Sequence, residues 1–224
     1  MKPSWITGCL VLAGTFGAAL WATSVPRLTY TKVFPGSMPA WVGITVDKTG
    51  MGEYKDSPED DNPLKFQLRA AEAEEIFGLV VRLDNFKRPL ESPLKVAFMG
   101  TKTFRLENGA ETAEVKFNFS EDPAARELAD WFERIAESEQ HFINLERSAK
   151  YDKLGVLKAL LLLESSMDRK RLVATAQYLP ILDRIVKNES YMHSARVRAA
   201  GIAEAIRAGS EATRTGSEAT RTDK

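Results

Sequence analysis

The chain has 224 residues, 31 basic and 31 acidic side chains, and a formal charge of zero. That balance leaves no basic excess for a phosphate backbone and argues against nucleic-acid binding. The single cysteine, Cys9, lies in an apolar N-terminal stretch, so the remaining chain offers no disulfide, thiolate nucleophile or cysteine-based metal site.

Lys2 precedes an apolar run from Ile6 to Ala22, which closes in Ala22-Thr23-Ser24 ahead of Pro26. A charged start, an apolar middle, small residues and a helix breaker make the layout of a secretory signal. Residues 1–24 are therefore expected to direct export and to be cut after Ala19, Ala22 or Ser24. An uncleaved anchor is the alternative, because the 19 residues from Ile6 to Ser24 are near the lower limit for spanning a bilayer. A periplasmic or secreted location follows from the first reading, and membrane contact only through an uncleaved N-terminus from the second.

Residues 25–120 read as a β-rich α+β region. Leu28 to Phe34 alternates, and 41–47 and 51–56 predict a hairpin around Asp47-Lys48-Thr49-Gly50, with Gly50 suited to positive φ. Leu64 to Leu68 is a further short strand. A helix is predicted over 69–85, with Ala73, Ile76, Phe77, Val80, Val81 and Leu83 on one apolar side. A three-stranded meander is then expected, beginning with Leu94, Val96 and Phe98. It turns at Gly100-Thr101, continues through Phe104 and Leu106, and turns again at Asn108-Gly109 into Val115, Phe117 and Phe119.

Residues 121–208 read as helical. Asp122-Pro123 supplies an N-cap and a first-turn proline for a helix over 123–149, striped by Leu128, Phe132, Ile135 and Phe142. Further helices are predicted over 152–166, 169–176, 178–188 and 192–208. The tail, 209–224, repeats Gly-Ser-Glu-Ala-Thr-Arg-Thr twice without an apolar stripe, and disorder is expected there.

Two resemblances accompany this reading. Tyr178-Leu-Pro-Ile-Leu-Asp-Arg-Ile185 followed by Ala195-Arg196-Val-Arg-Ala199, Ile202, Ala203 and Ile206 resembles a HEAT-like helical pair. That resemblance implies a pinning role for Arg196, although a solenoid requires several such units. Val33-Phe-Pro-Gly-Ser-Met-Pro-Ala-Trp41 through Gly52-Glu-Tyr54, with Phe98-Met-Gly-Thr-Lys-Thr-Phe104, resembles a group of uncharacterised predicted exported bacterial proteins. The second resemblance implies export and brings no activity, cofactor or catalytic residue with it.

Catalytic signatures are sparse. The two histidines are His141 and His193, and the sequence has no nucleophile elbow, phosphate loop or dinucleotide-binding glycine turn. At 100° per residue, Glu139 and Glu146 fall on the apolar stripe of helix 123–149. They are either buried and paired, with Arg184 or Arg196 as partners, or they line a cleft as acid–base groups. Glu137 and His141 share a helix face at i, i+4, but two ligands do not make a metal site. The acidic loop Asp56, Glu59, Asp60, Asp61 lacks the calcium-loop spacing. No metal or cofactor is expected. Phe34, Met38, Trp41 and Met51 form a candidate apolar interaction patch near the first hairpin.

The expected fold is α+β: an antiparallel sheet with one packed helix, followed by an α-helical bundle on the same core. The expected role is a non-enzymatic envelope protein that binds another, unidentified envelope protein. The alternative is a periplasmic hydrolase or small-molecule-binding protein with Glu139 and Glu146 in a cleft.

Overall fold

The computed structural model describes residues 25–222, with side chains from 25 to 209. The expected export segment, 1–24, lies outside the described residues. Six antiparallel strands form one sheet: β1 (Arg27–Val33), β2 (Trp41–Asp47), β3 (Met51–Lys55), β4 (Leu64–Gln67), β5 (Thr101–Asn108) and β6 (Glu111–Phe117). Their spatial order is β4-β3-β2-β1-β5-β6. Strand alternation places Leu28, Tyr30, Ile44, Val46, Phe104 and Phe117 on one buried face. Thr29, Thr31, Thr45 and Arg105 lie on the opposite, more solvated face.

Both short hairpins form where predicted. Gly50 has φ 85° and Gly109 has φ 63°, the left-handed region that glycine enters without a Cβ penalty. At the first turn, the Asp47 carboxylate accepts hydrogen bonds from the Thr49 and Met51 amides at 2.8 and 3.1 Å.

The meander differs from expectation. Residues 94–100 form no strand, and β1 occupies the place beside β5, in register from Arg27↔Glu107 to Val33↔Thr101. The displaced segment is held across the end of β6. Asn118 donates to the Ala97 carbonyl at 3.1 Å and accepts from the Met99 amide at 2.7 Å, while the Ser92 amide donates to the Phe119 carbonyl at 2.8 Å. Its apolar side chains are left outside: Leu94, Val96, Phe98 and Met99 are among the exposed large hydrophobic residues.

Two helices cover the buried sheet face: α1 (Ala70–Arg82) and the first half of α2 (Pro123–Tyr151). In α1, Leu79 is buried and Val81 exposed, so the apolar side lies slightly off the predicted one. Asp122 caps α2 as expected, its carboxylate accepting from the Ala124 amide at 2.8 Å. The second half of α2 enters a separate helical core with α3 (Val156–Asp168), α4 (Leu179–Lys187) and α5 (His193–Thr222).

Where a helix is predicted over 169–176, the chain instead takes positive φ at Lys170 and Ala174, followed by a 3-10 turn over Thr175–Tyr178. The Val173 amide is drawn to the Ser138 hydroxyl of α2 at 2.9 Å, in place of a helical carbonyl. The backbone of α5 continues as helix through both heptads, past the expected end at 208. Alanine, glutamate and arginine in the repeat favour helix, whereas its glycine, serine and two threonines do not. Among the described residues no helix is long and apolar enough to cross a membrane.

Two glycines test the packing in opposite directions. A Cβ on Gly52 would sit 2.2 Å from the buried Phe66 ring, whereas one on the exposed Gly78 of α1 meets nothing within 4 Å. Gly52→Ala is expected to destabilise by about 1–3 kcal/mol. Gly78→Ala is expected to stabilise by about 0.5–1 kcal/mol. Urea unfolding measures both.

Candidate functional site

Helix α2 carries most of the polar side chains that face another element. At its middle, Glu137 meets the end of α3 and the segment that follows it. The buried Ser166 hydroxyl donates to Glu137 Oε1 at 2.8 Å, and Arg171 Nε donates to Glu137 Oε2 at 3.1 Å. Arg171 also bonds Asp130, one face of α2 further back, at 2.6 Å. Burial opposes ionisation of Glu137, but the bonds from Ser166 and Arg171 outweigh it and hold the carboxyl below its usual range.

His141 Nε2 lies 2.9 Å from Ser166 Oγ, and Arg169 donates to the same oxygen at 3.0 Å. A hydroxyl has one proton. With that proton given to Glu137, Ser166 accepts from His141 and Arg169. Burial lowers the His141 pKa, which favours the neutral ring. This is not an acyl-transfer arrangement, because the carboxylate takes the serine proton directly instead of orienting the imidazole, and Ser166 is 1% exposed. The sequence pair Glu137 and His141 is thus brought together around a serine that its spacing could not reveal. Among the described residues no group of three or more histidine, aspartate or glutamate side chains could hold a metal ion.

The two glutamates predicted as a pair are separated. Glu139 is fully buried and Glu146 exposed, so the two do not converge on a cleft. Glu139 also lacks the expected arginine. Its Oε1 accepts from Gln177 at 2.7 Å and its Oε2 has no hydrogen-bond partner among the described residues. Arg196 instead donates to the Val186 carbonyl at 3.1 Å, and with the Arg207–Asp183 bonds it fixes α4 against α5. Burial therefore dominates at Glu139 and raises its pKa from 4.5 to about 7.

A cleft of about 300 Å³ opens between the β1–β2 loop and α2. Phe34, Met38, Pro39 and Val42 give it an apolar wall, and Lys32, Glu133, Glu137 and Arg171 a charged one. Lys32 donates to Glu133 at 3.1 Å. Tyr30 also lines the cleft. It is 1% exposed, stacks on Phe132 with ring centroids 4.8 Å apart, and its hydroxyl has no partner among the described residues. Burial, then the Glu133 carboxylate, pushes its pKa up and keeps the hydroxyl protonated.

The predicted apolar patch divides. Phe34 and Met38 line this cleft, and Met38 is 100% exposed. Trp41 lies on the open sheet face with its ring over Gly43, and Met51 opens β3 on the other side of the Asp47 turn. Phe98, absent from the predicted patch, joins it instead: its ring meets Phe34 edge-on at 6.1 Å. Lys32, Tyr30, Glu133 and Arg171 come from three distant segments, so no sequence spacing signalled them.

No protein-family model matches the chain, and no curated protein matches it.

Glu139 gives a pH-dependent prediction. Its neutral form favours the fold; that advantage is complete below the ordinary value of 4.5 and is lost as pH rises through about 7. Glu139→Gln removes this loss. The variant is expected to gain on the parent by roughly 2–4 kcal/mol between about pH 5 and pH 8, read from urea titrations across that range. A pH-independent difference would show that Glu139 is not desolvated.

Proposed function

We propose that this chain is an exported cell-envelope protein that acts by binding another protein. One observation carries the binding role: apolar side chains stand in solvent around the mouth of a cleft. Met38 is fully exposed at the β1–β2 loop, and Phe98 and Met99 are 57% and 58% exposed. Phe34 connects them, because it lines the cleft with Met38 and touches Phe98. Exposed apolar groups gathered at one place, with a charged rim beside them, suit a protein interface better than a solvated surface. The charged groups nearby are already bonded to one another, Lys32 to Glu133 and Arg171 to Glu137. Export is supported by the charge, apolar run and small residues of 1–24.

Two measurements test the two halves of the proposal. Photo-crosslinkers at Met38 and at Phe98 are expected to trap the same envelope protein in living cells, while one at Glu111, on the distant β5–β6 turn, traps none. Equal adducts at all three positions, or none at any, would remove the binding role. Fractionation with intact mass is expected to find a periplasmic or secreted species shortened by about 19–24 residues. A cytoplasmic full-length species would remove export.

A further inference from the structure

The hydrogen-bonding account of the cleft is incomplete in one direction. Tyr30 holds a donor with no acceptor among the described residues, and its ring is fixed between Phe132 and Phe104 at centroid distances of 4.8 and 5.6 Å. Lys32 spends one N–H on Glu133. Buried hydroxyls are nearly always bonded, so an orphan at a cleft points to an acceptor brought from outside.

The charge of the lining narrows the chemistry of that acceptor. Lys32 is neutralised by Glu133 and Arg171 by Glu137. A free carboxylate or phosphate would meet both glutamates, and an amine would meet Lys32 and Arg171. An uncharged acceptor meets neither penalty. Against the opposite wall, Phe34, Met38 and Pro39 offer an apolar surface. At about 300 Å³ the cleft holds a residue or so, not a folded element.

We propose that the cleft receives one residue of an extended, uncharged segment of the partner protein. Its apolar side chain lies against Phe34, Met38 and Pro39, and a main-chain carbonyl accepts from the Tyr30 hydroxyl. This deepens the binding role proposed above and rests on it. The occupant is a peptide because the wall demands an apolar group and a neutral amide carbonyl together, which every apolar residue in an extended chain presents. Burial of Tyr30 keeps the donor protonated across the physiological range.

Fluorescence anisotropy of short labelled peptides on the full-length protein tests the inference. Uncharged peptides centred on Leu, Met or Phe are expected to bind at least about tenfold more tightly than the same peptides centred on Ala or flanked by Asp. Tyr30→Phe is expected to weaken them about tenfold while leaving thermal stability equal or higher, since the hydroxyl it removes has no partner among the described residues. Ala136→Trp, on the α2 side of the cleft, is expected to abolish binding by filling it.

A trimer of N-acetylglucosamine, which carries an acetamide carbonyl without an apolar side chain, is the non-peptide comparator. Binding of the trimer in place of the peptides would overturn the inference. So would failure of every peptide, or wild-type affinity in Tyr30→Phe. Crosslinks from Met38 and Phe98 that persist unchanged in Tyr30→Phe and Ala136→Trp would remove the peptide from the cleft while leaving the protein interface. Loss of the crosslinks in the unmodified protein would remove both.

Discussion

Everything else in the fold depends on α2 belonging to two cores at once. Over its first half, Ala125, Leu128, Phe132 and Ile135 close the inner face of the sheet; over its second half, Leu145 and Ala149 are part of the helical core. Two buried tyrosines fasten the later elements to the same helix. Tyr178 donates to the Ser138 carbonyl at 2.5 Å and Tyr191 to the Ala149 carbonyl at 2.8 Å. A bare helix of this length would be marginal in water; here each half is secured by packing on a different neighbour. Neither core can lose α2 without exposing apolar surface in the other.

That shared helix also sets the electrostatics. Where the cores meet, side chains at Glu137, Ser138 and Glu139 point toward three different surroundings. Glu137 reaches the last turn of α3 and the chain just after it, finds Ser166 and Arg171, and stays ionised. Ser138 bridges backbone to backbone, accepting from Val173 and donating to the Arg134 carbonyl. Glu139 is enclosed with only the Gln177 amide, a neutral partner that cannot offset desolvation. Adjacent positions on one helix thus carry carboxyls with opposite shifts, decided by what packs over each.

Local signals were legible in the sequence and long-range ones were not. Asp47 and Gly50, Asn108-Gly109 and Asp122-Pro123 act within a few residues, so their turns and cap could be read directly. The α+β class followed from the change of apolar period near residue 120. The pattern of Leu94, Val96 and Phe98 is equally strand-like, yet β1 holds the place beside β5 through a full register. Periodicity cannot show that a competing strand from 70 residues earlier has the better claim. Burial of Glu139 was visible in helical phase. Exposure of Glu146 on nearly the same phase was not, because the elements that cover the second half of α2 bury Leu145 and Ala149 instead. The cleft was invisible for a simpler reason: Tyr30, Glu133 and Arg171 meet only after folding.

The placement of the tryptophans has a spectroscopic consequence. The chain has four, of which Trp5 and Trp21 lie within 1–24, outside the described residues. The other two sit in contrasting settings. Trp131 is buried, hydrogen-bonded to Glu75 at 3.2 Å and capped by the Arg134 guanidinium 4.3 Å from its ring. Trp41 lies half-covered on the open sheet face, paired with Val33 where β1 enters the cleft loop. The fluorescence of these two divides into an emitter sensitive to the integrity of the interior and one sensitive to what approaches the open sheet face. Events on the open sheet face and unfolding of the interior are therefore separable by emission wavelength and quencher access without any label.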